Sequence, residues 1–298
     1  MTIYVHSRGK SQEHDYNWLE EASQISVIPE VLKSIKPEEL INSQKPSMIL
    51  ARSGGQLILL VTALTTRDGR TDFMRRQIRN VIAWVETDTS ASERVLCKIA
   101  AQALNGELDR LVDSAVTNNA ESQYGFTADF TQLKAIENTL NNQGDDQDTD
   151  RQKYNPDTDL KVGKNSEPLR SDLAEQLAEY GLPKPTDGTQ LLVVATTLKS
   201  FDGLTSKNVW RGLSSRIENE EWEVYKKKGA ATEQTSEREQ SAATTKKSPI
   251  ITILILLIVV IVIAVLISTL VPQNPQPKDQ PPLQSSSVTP LNRVKIVP

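Results

Sequence analysis

Hydrophobic residues in this chain fall into two kinds of pattern before residue 226, and a third after it. Short, almost unbroken apolar runs at 3–6, 47–52, 56–65 and 190–198 read as strands buried on both faces. Between the second and third lies Ser53-Gly54-Gly55, which supplies the positive φ angles of a tight turn and predicts a β-hairpin. Elsewhere apolar residues recur every three or four positions, as on one face of a helix. Helices are expected at 15–22, 30–35, 71–86, from Ser90 or Ser92 to 104, at 107–116, 127–140, 169–180 and 205–222. Within 71–86 the helical face is carried by Met74, Ile78, Val81, Ile82 and Val85. Asn105-Gly106 and Gly181 are the stop signals of two others. Helices interleaved with a few strands predict an α/β layered domain with a small mixed sheet and flanking helices.

The third pattern is the run 250–271, uncharged throughout and built of Ile, Leu and Val except for Thr252, Ala264, Ser268 and Thr269. At 1.5 Å per residue its helix is roughly 33 Å long, enough to cross a bilayer core of about 30 Å. A buried soluble helix of that length would show a polar face. Lys226, Lys227, Lys228, Lys246 and Lys247 precede the run, and only Lys278 follows closely. The positive-inside rule therefore places the N-terminal part in the cytoplasm and makes the chain a single-pass membrane protein. One cysteine, Cys97, suits that compartment.

Composition divides the remainder. Net charge is −4, pI about 5.5, and apolar residues make up 38 % even with the anchor counted. Polar stretches at 141–167 and 226–249 read as disordered linkers, and 272–298 as a Pro-rich disordered tail. The domain is thereby expected in two parts, 1–140 and 168–225. The acidic balance argues against nucleic acid as the main partner.

Segments 54–71 and 188–205 align without a gap at an offset of 134 and share eight of eighteen residues, including Thr62, Asp68, Gly69 and Thr71 with their counterparts. Unrelated segments would share about one. Both read as a buried strand, an Asp-Gly-x-Thr loop and a helix, and the two strands are expected to be central in one sheet.

Arg52, Arg67, Arg70, Arg75, Arg76 and Arg79 give the stretch 52–79 a local charge of +4. At the start of the expected helix 71–86, arginines would oppose the helix dipole unless an anion bound there. A phosphate-type anion or nucleotide held by Arg67, Arg70, Thr71, Arg75 and Arg79 is the functional expectation. Solvated arginines are the plain alternative.

Catalytic signatures are weak. His6-Ser7-Arg8-Gly9-Lys10-Ser11 ends like a P-loop, but Tyr4 stands where its first glycine is required. Asp146, Asp148, Asp150 and Asp157 have calcium-loop spacing, with Arg151 in place of the obligatory glycine. Cys97 lies on an apolar face and reads as packed. Asp68, Asp202 and His6 are the candidates for a polar catalytic centre. No metal or cofactor is implied. The leading expectation is a cytoplasmic sensing or interaction module anchored to a lipid bilayer, with a protein or an anionic small molecule as partner. A membrane-bound hydrolase or transferase acting on a phosphorylated substrate is the rival, and a structural tether the third reading.

Overall fold

Residues 1–21, 24–25, 28–65, 70–142, 154–184 and 190–227 are described by the computed structural model. The chain divides into units Met1–Thr232 and Glu233–Pro298, and all described residues lie in the first. No helix among them is long and apolar enough to cross a membrane. The run 250–271 lies outside the described residues, as do Arg67 and Asp68.

In chain order the strands are β1 (Thr2–Ser7), β2 (Asn17–Glu20), β3 (Gln24–Ile25), β4 (Ser47–Ser53), β5 (Gln56–Leu64), β6 (Asn80–Thr87), β7 (Val116–Asn118), β8 (Phe126–Ala128), β9 (Leu160–Lys164), β10 (Leu191–Thr196), β11 (Arg211–Ser214) and β12 (Glu223–Tyr225). β7 and β8 pair with each other. The other ten form one mixed sheet, ordered β12-β9-β11-β10-β4-β5-β6-β1-β2-β3. The helices are α1 (Glu30–Lys33), α2 (Ser90–Leu104), α3 (Leu108–Val112), α4 (Phe130–Asn142), α5 (Glu167–Tyr180) and α6 (Phe201–Thr205).

Strand alternation divides the core into two layers. Leu57, Leu59 and Val61 of β5 pack with α2, α4 and α5 residues such as Leu96, Leu133 and Leu173. Ile58 and Leu60 of the same strand face the opposite layer, with Leu32 of α1 and Leu204 of α6. The sheet is therefore covered on both sides, and its central strands read as continuous apolar runs for that reason.

The predicted hairpin is β4–β5, with Gly54 and Gly55 at φ 59° and 77°. Helix α2 starts at Ser90, and its cap is Thr89 where Ser90 or Ser92 was expected to cap it: the Thr89 hydroxyl accepts the Ser92 N–H at 3.2 Å. Helix α5 ends at Gly181, φ 68°.

Three expected helices are not formed. Residues 71–86 make a tight turn followed by β6, whose Val81, Ala83 and Val85 enter one core layer while Ile82 and Trp84 enter the other. A run apolar on both sides fits a central strand, and Met74, which set the helical phase, is 59 % exposed. The stretch 15–22 contains β2, which pairs with β1. The stretch 205–222 contains only the end of α6 and then β11. Part of the expected linker 141–167 is ordered as well: β9 pairs with β11 and β12, and Asn155 is buried. These additions turn the expected small sheet into a ten-stranded one, shared by both parts of the domain.

The internal match reappears as strand register. β5 and β10 flank β4, both antiparallel to it. Arg52 pairs with Leu57 on one side and Leu191 on the other, Leu50 with Leu59 and Val193, and Met48 with Val61 and Ala195. Each pair of partners differs by the same 134 positions. Beyond the strands the likeness ends, because β10 leads into α6 whereas β5 leads through the turn into β6.

Candidate functional site

β1, β5, β9, β10 and β11 run in one direction, so their carboxyl ends share one edge of the sheet with the start of β4 and β6. From β9 the chain goes to α5 on one face, and from β10 to α6 on the other. Open α/β sheets bind ligands in the crevice that such a divergence leaves.

A cleft of about 450 Å³ lies there, within the usual size of a small-molecule site. Asn165, Arg170, Thr197 and Ser215 line one side, Ala63, Asn105 and Asp109 the other. Asn165 is fixed by its backbone N–H to the Ser214 carbonyl at 3.0 Å and its Nδ2 to the Thr196 carbonyl at 3.1 Å. In turn it holds Arg170, whose Nη1 donates to Asn165 Oδ1 at 3.1 Å and to its carbonyl at 3.3 Å. Arg170 belongs to the opening turns of α5, where a cation opposes the helix dipole and an anion offsets it.

Two hydroxyls at this place lack partners. Ser166 precedes α5 without capping it through its side chain, and its Oγ is buried and unbonded among the described residues. Thr197 Oγ1 is in the same state. Across the cleft, Asp109 accepts from the Thr65 N–H at 3.3 Å and the Thr65 hydroxyl at 2.5 Å. The wall between is the bulge of β5, between Val61 and Leu64, where Ala63 takes φ 58°. Bulges of this kind re-aim side chains at sheet edges. The cleft thus offers a fixed guanidinium opposite a fixed carboxylate.

The expected anion site is distributed differently. With no helix at 71–86, there is no helix N-terminus for it to use. Arg70 is buried: its Nε donates to Asn118 Oδ1 at 3.0 Å, and its Nη2 to the Arg8 carbonyl at 2.8 Å. Burial lowers its pKa. Its role is to tie the edge of β1 to β7. Thr71 and Arg75 are exposed and Arg79 half-buried. Arg52 lies elsewhere, in a buried ion pair with Glu93 and another with Asp88.

Of the candidate catalytic residues Asp68 lies outside the described residues, and the other two, His6 and Asp202, do not converge. His6 stacks on Tyr16 and Trp18, ring centroids 5.2 and 4.7 Å away. It lines a second, apolar cavity of about 490 Å³ with Trp18, Leu32, Ile41 and Val81. Burial pushes its pKa down to about 4, against the pull of Asp15, so the imidazole is neutral near pH 7. Asp202 is exposed on α6, which follows β10, four strands from β1 or roughly 19 Å at about 4.8 Å per step. Cys97 is 1 % exposed, and burial pushes its thiol up. Among the described residues, no group of three metal-ligating side chains comes together.

Sequence reasoning passed over Arg170, Asn165 and Asp109. A signal existed for one of them: an arginine just inside a helix that begins Ser166-Glu167-Pro168. No protein-family model, curated protein or solved structure matches the chain.

Proposed function

We propose that the chain is a single-pass membrane-anchored protein whose cytoplasmic domain is a sensing module for a small phosphate-bearing metabolite. The anchor reading rests on the uncharged run 250–271 and the lysines before it. The ligand reading rests on one observation, the Arg170 guanidinium held by Asn165 at the head of α5 and lining the cleft. Arg170 suits the phosphate, and Asp109 suits hydroxyl donors on the same ligand. Nucleotides and sugar phosphates combine both features.

A thermal-shift screen of the full chain in detergent against nucleotides, sugar phosphates and inorganic phosphate tests the reading. At a hundredfold excess over Kd, a ligand stabilises by about 2.7 kcal/mol, a rise of roughly 5–10 °C. Arg170→Gln should abolish that rise while leaving the unliganded melting temperature nearly unchanged. No rise with any phosphate compound, or one that survives Arg170→Gln, rejects the site. The rival hydrolase would need His6, Asp68 and Asp202 in one pocket, and the separation of β1 from β10 weighs against it.

A further inference from the structure

Phe73 and Met74 are 48 % and 59 % exposed, adjacent in sequence, and followed by Arg75 and Arg76. They occupy the tip of a tight turn. Its base is the Ile78 N–H to Arg70 carbonyl bond at 2.7 Å, with Thr71 bridged to Gln77. Asp72 braces the inside, accepting from the Met74 and Arg76 N–H groups at 2.9 Å each and from Arg76 Nε at 2.9 Å. Arg75 closes the turn at φ 61°. Arg8 lies under the Phe73 ring at 5.6 Å and against Asp72 at 3.6 Å. The two apolar side chains are therefore displayed by a braced hairpin. Such exposure on a rigid element marks a surface that meets something apolar.

The charges beside it narrow the choice. Arg76 is bonded to Asp72 yet its side chain stays 61 % exposed. Arg75 and Arg79 have no ion-pair partner among the described residues, and Asp72, the acid of the turn, is buried. An apolar tip beside Arg75 and Arg79, which have no acid partner among the described residues, is complementary to the boundary of an anionic bilayer, where acyl chains take the Phe and Met while lipid phosphates take the arginines. We infer that the 70–79 hairpin docks on the anionic lipid surface and sets the orientation of the domain there. Docking of this kind rests on the anchor proposed for 250–271, because a chain already held at the surface needs only a weak second contact.

The test uses the full chain in lipid nanodiscs with a nitroxide on Met74→Cys. Cys97 is buried and stays unlabelled. In discs containing phosphatidylserine the label should become more accessible to oxygen than to a water-soluble nickel chelate. In phosphatidylcholine discs it should remain aqueous. Each arginine near the surface contributes about fivefold, so Arg75→Gln with Arg79→Gln should lower the docked fraction's ratio about twenty-five-fold. A label equally aqueous in both discs overturns the docking, including the case in which the tip instead meets a protein. Co-elution of chain and disc reports separately on the anchor. Should co-elution fail, the same label read on large vesicles of the two compositions still decides the docking.

Discussion

Replacing Arg52 by Met should destabilise the domain strongly. Arg52 is 5 % exposed; its Nε meets Asp88 at 2.9 Å, its Nη1 donates to the Pro183 carbonyl at 2.7 Å, and its Nη2 bonds Glu93. Glu93, also 5 % exposed, accepts the Leu182 N–H at 2.7 Å and so pins the end of α5 to the start of α2. Burial pushes the Glu93 carboxyl up, and Arg52 pulls it back down. Without the guanidinium a buried carboxylate loses its counter-charge, which costs roughly 3–5 kcal/mol, or about 6–20 °C in melting temperature for a domain of this size. A carboxyl whose folded pKa exceeds its unfolded one favours folding when protonated, and that contribution is lost as pH rises through the folded value. Arg52→Met should therefore be hurt more at pH 8 than at pH 5. Adding Glu93→Gln keeps the acceptor for Leu182 while removing the charge, and should restore most of the loss and flatten the pH dependence. Circular dichroism melts of the full chain in detergent at both pH values read this out. An Arg52→Met protein within about 2 °C of the parent at pH 8, or no recovery on adding Glu93→Gln, refutes the reasoning.

Other outcomes follow from single sites. Gly181→Ala forces a Cβ into a φ of 68° and to 2.8 Å from Glu93 Oε1; urea denaturation should show a loss of about 2 kcal/mol, and an unchanged midpoint contradicts that. The His6 ring should titrate near pH 4 by NMR, because burial disfavours its cation; its contribution to stability is full above pH 6.5 and is lost as pH falls through about 4. A His6 titration near 6.5 would show the ring to be solvated. Cys97 should resist a thiol reagent in the folded protein at pH 8 and react in urea.

Much of the layered architecture is legible in the sequence, and the misses share a cause. β4, β5 and β10 are runs that no helix face accounts for, and the Gly54-Gly55 turn binds two of them locally. β6 misled because Ile78, Val81, Ile82 and Val85 fit a helical spacing as well as a doubly buried strand; the arbiter is tertiary, namely that β5 and β1 lie on either side. β11 and β12 are short and pair with β9 far upstream in the chain, while β2 is a short strand between its near neighbours β1 and β3. The arginine cluster was visible as charge, but not that Arg52 and Arg70 would be interior while Arg75 stayed exposed and Arg79 half-buried. Arg170 gave a single basic letter, and its meaning comes from Asn165 and from the turn of chain that follows β10.

The matching register of β5 and β10 along β4 has a consequence for how the chain reaches this state. Two strands of similar sequence compete for both edges of one template, and a swap would satisfy nearly the same backbone bonds. The contest is settled by timing. β5 reaches β4 across two glycines, whereas β10 must close most of the domain between Ser53 and Leu191, an entropic handicap of about 4 kcal/mol. The hairpin therefore occupies its edge first and leaves only the other one open to the late arrival, so two nearly interchangeable strands end up in distinct places.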